Sequence, residues 1–311
     1  MATAATVEPV SERARSLLRG AYDMHVHISP DVVPRRVDDL TLARHFAELG
    51  LAGFQLKSHY GSTAERASVV RAAVPDVHVL GAIALNRAVG GMNAVAVEIA
   101  AREGARTVWF PTVDSVNESG EETQFPPGAA VPPWMELQRE LRAEGVAIEP
   151  VAVVAADGAV LPETRVVLGT IARHGLVLAT GHLSRDEIFA VVEAAVEEGV
   201  NEIVITHPDF PSQDLAFEDQ TALAARGALL ERCFTTPHTG KVSWERWLEN
   251  IRAAGPENSV LSTDLGQVFN PPVEDGMALM VDRLLEAGFS DEEVYVMAVV
   301  NTRLVAGVKT T

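Results

Sequence analysis

The chain has 311 residues, 47% of them hydrophobic, with a formal net charge of −18 and a single cysteine, Cys233. So negative a field repels polyphosphate backbones and speaks against a nucleic-acid partner, while one cysteine rules out an intrachain disulfide and fits a reducing cytoplasm. The chain starts small and polar and is charged between Ser11 and Arg19, where a signal peptide would be apolar; no apolar run reaches the roughly 18 residues of a membrane span.

Pro9 to Leu18 predicts a short amphipathic helix inside an N-terminal extension over residues 1–20. From Tyr22 onward, apolar strand-like runs alternate with helical patterns, the signature of βα units feeding a parallel sheet. The strand candidates are Tyr22 to His27, Gly53 to His59, Val77 to Leu85, Arg106 to Thr112, Leu176 to His182, Glu202 to His207, Ala228 to Phe234 and Ser259 to Asp264. Between them, Leu40 to Leu49, Thr63 to Ala73, Gly91 to Glu103, Arg185 to Glu198, Ala216 to Arg226 and Ser243 to Ala254 carry apolar residues at helical spacing. Eight such strands in one chain favour a single α/β domain, a closed (β/α)8 TIM barrel, which runs to about 250 residues and more with insertions. The spacing breaks once, between strands four and five. There residues 113–175 hold a Pro- and Gly-rich stretch from Asp114 to Pro133, a helix over Trp134 to Ala143 and a hairpin over Val146 to Leu161 turning at Asp157-Gly158. A lid beside a barrel mouth and an ordinary surface insertion both fit that pattern.

The first strand reads Asp23-Met24-His25-Val26-His27, and strict alternation would turn Asp23, His25 and His27 to one side. Two neighbouring buried imidazoles need partners for their ring nitrogens; a divalent cation would use both lone pairs, and backbone hydrogen bonds are the other solution. The phosphate-cradling glycine pattern of dinucleotide enzymes is absent at this position. Lys57 and His59 close the second strand, His182 the fifth, His207 the sixth and Asp264 the eighth. In a barrel the C-terminal strand ends share one mouth, so these distant residues are expected to converge there. Arg36, Asn86, Arg87 and His238 follow strand ends and are expected to face substrate. Basic groups at the mouth would suit a carboxylate or phosphate, although solvated surface arginines fit equally well. His45, His78 and His174 lie away from the strand C-termini and are expected to be structural.

With its strand order, this set of residues resembles the amidohydrolase superfamily of metal-dependent barrel hydrolases. The likeness rests on Asp23-Met24-His25-Val26-His27, Gly181-His182, Thr206-His207, Ser262-Thr263-Asp264 and the closing segment Asn301 to Gly307, in which Thr302 stands where proline is usual. The resemblance implies that His25, His27 and Asp264 hold one metal and His182 and His207 a second, with Zn foremost and Mn, Co or Fe also suited. Two cations about 3.5–4 Å apart would share a water and yield hydroxide as nucleophile, with Asp264 taking the proton. The fourth strand departs from the family pattern, since Thr107 to Thr112 offers no bridging Lys or Glu. Carboxylated Lys57 is the available substitute; an unmodified Lys57 paired with Asp264 in a mononuclear site, or one binding substrate, are the alternatives. His59 is either a ligand or a hydrogen-bond donor to the reacting carbonyl. The implied function is hydrolysis of an amide, lactone or ester in a small molecule. A non-hydrolytic enzyme such as a decarboxylase, or a binding barrel without turnover, are the competing readings. A phosphoesterase that begins Asp-x-His-x-His fits less well, because Asp264-Leu265-Gly266 lacks the expected Asp-x-His. A homo-oligomer would be in keeping with the common habit of soluble enzymes.

Overall fold

The computed structural model describes residues 9–119 and 125–308. Residues 1–8 of the expected N-terminal extension and 120–124 of the expected lid lie outside them. Eight parallel strands follow one another in chain order: β1 (Tyr22–Val26), β2 (Gly53–Leu56), β3 (His78–Ala84), β4 (Ala105–Trp109), β5 (Val177–Ala179), β6 (Ile203–Ile205), β7 (Leu229–Cys233) and β8 (Ser259–Ser262). The ring closes between β1 and the residues just beyond β8. Val26 bridges Leu265, the Asp264 N–H donates to the His25 carbonyl at 2.8 Å, and the His27 N–H donates to the Leu265 carbonyl at 2.7 Å. This is a (β/α)8 barrel, and the closing bonds run through the backbone of the residues expected to carry chemistry.

Local signals set the helices. Asp38 caps Asp39–Leu49 by accepting from the Thr41 N–H, and Gly50 ends it in the left-handed region, at φ 72°, where glycine is unstrained. Ser184 and Glu187 form a reciprocal capping box at the start of Arg185–Glu197. The core has an inner and an outer layer. Met24, Leu80, Ala82, Trp109, Val177, Ala179, Val204 and Val260 fill the barrel, while Val26, Leu56, Val108, Leu178, Ile205 and Leu230 pack outward against the helices. Each buried aliphatic side chain contributes roughly 1.5–3 kcal/mol, so this double layer supplies most of the rigidity beneath the mouth.

Three expectations change. The register of β1 slips between Asp23 and Val26, so Met24 packs inside the barrel and Val26 outside it, although alternation would give them one face. Asp23 consequently leaves the company of His25 and His27, and its carboxylate accepts from the Thr263 N–H at 3.0 Å and the Thr263 hydroxyl at 2.5 Å. The segment Val146 to Leu161 turns where expected, but only a single antiparallel bridge, Val154 to Val160, forms, while Val151 pairs with Ser115. Finally, Pro162–His174 is a helix whose Val167, Leu168 and Ile171 are fully buried, so it belongs to the barrel's outer ring, and the true insertion ends near Leu161.

Candidate metal centre

His25 lies within β1, and His27, Lys57, His59, His182, His207 and Asp264 sit just past the ends of their strands. His25 Nε2 and His27 Nε2 are 3.2 Å apart, and Asp264 Oδ1 lies 3.2 and 3.1 Å from them. Three electron-pair donors so close repel one another unless a proton or cation stands among them. A tetrahedral ion with bonds of about 2.0–2.1 Å spaces its donors by about 3.3–3.4 Å, which these separations match within a few tenths. The Nδ1 of His27 is buried without a hydrogen-bond partner. Asp264 adopts φ 54° and His207 φ 25°, left-handed conformations that cost a non-glycine residue on the order of 1–3 kcal/mol. Next to Asp264, Gly266 has no room for a side chain: a Cβ there would lie 1.4 Å from the His27 carbonyl oxygen.

A layer of partners behind the imidazoles fixes which nitrogen faces inward. His25 Nδ1 is 3.0 Å from Glu231 Oε1, which puts its N–H on that side and turns Nε2 toward the site. Glu231 Oε2 also accepts from the His207 N–H at 3.3 Å, so one carboxylate touches both halves of the constellation. His207 Nδ1 faces Gln213 Oε1 at 3.1 Å, and the Gln213 amide is itself oriented by donating to the Ser212 hydroxyl. Glu118, from the insertion, lies 3.0 Å from His182 Nδ1, off the line of a good hydrogen bond. The rings of His182 and His207 are 4.9 Å apart between centroids. Among the described residues, however, the triads of His, Cys, Asp or Glu close enough to share an ion all include His25: His25–His27–Asp264, and His25–Glu231–Cys233 behind it.

Lys57 lines the same cavity. Its ammonium stands 5.0 Å over the Trp109 ring and has no hydrogen-bond acceptor among the described residues. Burial pushes it below the ordinary lysine range, against the pull of Asp264 and Glu231. Burial likewise drives His27, His59 and His207 well below the usual imidazole range, and His182 below it despite Glu118. These are the neutral forms that ligation needs. Burial would raise the Asp264 carboxyl, but His25, His27 and Lys57 hold it well below the carboxylate range.

The cavity is lined by Pro132, Pro133 and Trp134 of the insertion and by Phe210 and Phe269. Residues of the insertion therefore contribute to the cavity wall. His25, His27, Lys57, His59, His182, His207 and Asp264 all gather here as the barrel expectation requires. Four residues expected to meet substrate are held elsewhere; Arg87 donates to the carbonyls of Glu149 and Pro150. Arg36 donates to the carbonyls of Val268 and Asn270, His238 is exposed and stacked on Phe234 at 4.6 Å, and Asn86 is fully buried behind His59. In their place the cavity presents Arg35, whose Nε is tied to Asp31 at 2.7 Å, and Lys241. His45, His78 and His174 pair with Glu274, Tyr22 and Glu98, away from the cavity.

The sequence reading missed Glu231, although Leu229-Leu230-Glu231-Arg232-Cys233 carries a signal: two charges inside a buried strand, on opposite faces. Arg232 points outward and is fully buried, bound to Asp209 at 2.9 Å, Gln220 at 2.6 Å and Ser259 at 3.2 Å. Asp209 follows His207 by two residues and also accepts from Asn250 at 2.6 Å, so this network anchors the turn that carries His207.

The model of the family of unknown function DUF6282 matches residues 20–231. None of the curated proteins matches the chain. Solved structures share the barrel over nearly its full length. An amidohydrolase from Pseudomonas aeruginosa aligns at TM-score 0.59 and 12% identity, over 94% of this chain and 99% of its own. The probable dipeptidase PvdM from the same organism aligns at 0.61 and 10%, over 95% and 97%. An amidohydrolase from Burkholderia multivorans with bound zinc aligns at 0.55 and 12%, over 93% and 99%. At these identities the likeness establishes the fold. No helix among the described residues is long and apolar enough to cross a membrane.

Proposed function

This chain belongs to DUF6282, a family of unknown function, and we propose that it is a metal-dependent hydrolase acting on an amide, lactone or ester bond of a small molecule. One observation carries the reading: the lone pairs of His25 Nε2, His27 Nε2 and Asp264 Oδ1 converge within 3.2 Å at the floor of an open cavity. His25, His27 and Asp264 would hold the first cation, and His182 and His207, completed by Lys57, a second. When bound, such ions supply Lewis acidity and lower the pKa of water; zinc suits the imidazole and carboxylate donors, as Mn, Co or Fe would.

The chain's own groups complete the chemistry. Asn86 Oδ1 accepts two backbone N–H groups, from Thr112 and Asp114, so its amide nitrogen must donate to the Thr112 hydroxyl, at 2.6 Å. That hydroxyl's own hydrogen is then left for His59 Nδ1, 2.9 Å away, because the reverse arrangement would strand it in a fully buried place. His59 is thereby the Nε2–H tautomer, a donor that can polarise the reacting carbonyl, and Asn86 is the residue that positions it. Asp264, held ionised, can receive a proton at Oδ2 and return it to the leaving group; the Thr235 hydroxyl donates to that oxygen at 2.9 Å. Lys57, whose pKa burial lowers, can attack carbon dioxide in its free-amine form. A C–N bond forms and two protons leave in all, one from the ammonium before attack and one from the nitrogen after it, so that an anionic carbamate replaces a buried cation that lacks an acceptor among the described residues.

The test is reconstitution. Zinc-loaded protein is expected to hydrolyse members of an amide, lactone and ester panel, to lose activity on chelation and regain it with zinc, and to place oxygen from ¹⁸O-water in the product. Lys57→Met is expected to bind one equivalent of zinc fewer, with bicarbonate unable to restore it. Full activity without metal, or carbon dioxide release without water incorporation, would overturn the proposal.

A further inference from the structure

We infer that Lys241 forms an anion subsite for substrates bearing a carboxylate on a planar or apolar body. Lys241 is only 8% exposed and lines the cavity. Its Nζ stands between two aromatic rings, 5.8 Å from the centre of Phe125 and 5.7 Å from that of Phe210. It donates to the Thr239 hydroxyl at 2.6 Å, and that hydroxyl is committed to the Thr235 carbonyl. An ammonium has three hydrogens, so two are left without an acceptor among the described residues. A buried cation without a partner is costly, and a bound carboxylate would relieve that cost.

The surroundings define the rest of the ligand. Arg35 also lines the cavity but is paired with Asp31, whereas Lys241, like Lys57, is a lining cation with no carboxylate in ion-pair contact among the described residues. Phe210 packs against His207 at 4.9 Å and its ring centre is 5.7 Å from Lys241 Nζ, so one ring neighbours both the imidazole and the ammonium. Trp134 and Phe269 also line the cavity. A single point charge with two spare hydrogens matches a carboxylate better than a phosphate dianion, which calls for more donors. The protein's overall charge of −18 makes the local cation a selective device: it admits anions where the surface at large would repel them.

The inference rests on the hydrolase reading only in calling the ligand a substrate; binding can be tested without turnover. Full-length protein, zinc-loaded and metal-free, is titrated calorimetrically with benzoate, benzamide and inorganic phosphate. Benzoate is expected to bind about ten- to hundredfold more tightly than benzamide, the range of one charge-assisted hydrogen bond, and more tightly than phosphate. Lys241→Met should erase the benzoate preference with zinc content unchanged, and Lys241→Arg should restore part of it. Equal benzoate affinity in wild type and Lys241→Met, or no benzoate preference in either metal state, overturns the subsite. Lys241-dependent binding that persists without metal keeps the subsite even if the hydrolase reading fails. Zinc-dependent hydrolysis indifferent to Lys241 removes the subsite alone.

Discussion

The two halves of the constellation are built differently. Around His25 the donors come from β1 and from the backbone just past β8, locked to each other by the hydrogen bonds that close the barrel. Around His182 and His207 the supporting groups arrive on loops: Glu118 from the insertion, Gln213 from the turn after His207. The first half already has its three donors at ion-binding separations, and the second depends on Lys57 and on segments with little strand support. A site assembled by the ladder is preorganised, whereas one assembled by loops can be adjusted by what the loops contact.

The sharpest way to break this contrast is Asp264→Asn. The amide removes the charge that sits between His25 and His27, and the expected outcome is loss of tightly bound zinc from the first half with a fall of about 10³-fold or more in turnover, read by metal analysis and kinetics. A more graded comparison replaces the supporting carboxylates one at a time. Glu231→Gln is expected to weaken zinc binding about 10- to 100-fold, because Glu231 fixes His25 and touches the His207 backbone. Glu118→Gln should fall at the low end of that range, since its geometry toward His182 is poor; competition with a chromogenic chelator would rank them. If Glu118→Gln proved the more damaging, the loop-built half would be the tighter one.

The smallest effect is on stability, and it tests both halves together. His27, His59, His182 and His207 have folded-state pKa values below their unfolded ones, so between those values the unfolded chain binds more protons than the native one. Their contribution is fully present above the ordinary imidazole range near 6.5 and is lost as pH falls below it, at up to about 1.4 kcal/mol per pH unit for each group. Asp23, raised by burial to about 6, works the other way: it favours the native state below about 4 and loses that contribution as pH rises through about 6. Four imidazoles outweigh one carboxyl, so the metal-free protein is expected to lose stability on acidification from pH 7 to 5. Denaturant titrations at each pH would show it, and a flat or opposite profile would mean the imidazoles are already charged.

Much of this arrangement was legible in the sequence, and the reasons differ by residue. The strands were readable because alternating apolar runs and glycine-ended helices are local signals. His25, His27, His182, His207 and Asp264 could be grouped because the barrel itself dictates that strand ends meet. Asp23 was misplaced because a one-residue slip in β1 leaves no mark in composition. Arg36, Asn86 and His238 were placed by their nearness to strand ends, but loop side chains follow contacts that spacing does not encode: Arg36 turns to two carbonyls beyond β8, and its neighbour Arg35 takes the cavity. Lys241 lies farther along the chain than that rule looks, and only the folded loop brings it back over the mouth.

The seventh strand carries one further implication. Glu231 reaches inward to His25 while the next residue, Arg232, reaches outward into a dry cluster with Asp209, Gln220 and Asn250, the last two on helices Phe217–Ala224 and Trp244–Ala254. Two opposite-facing neighbours thus join the outer helices to the floor of the candidate site through a single peptide unit. Loosening of those helices, whether by heat, by a neighbouring chain or by a crowded solvent, would be transmitted inward to the carboxylate that orients His25.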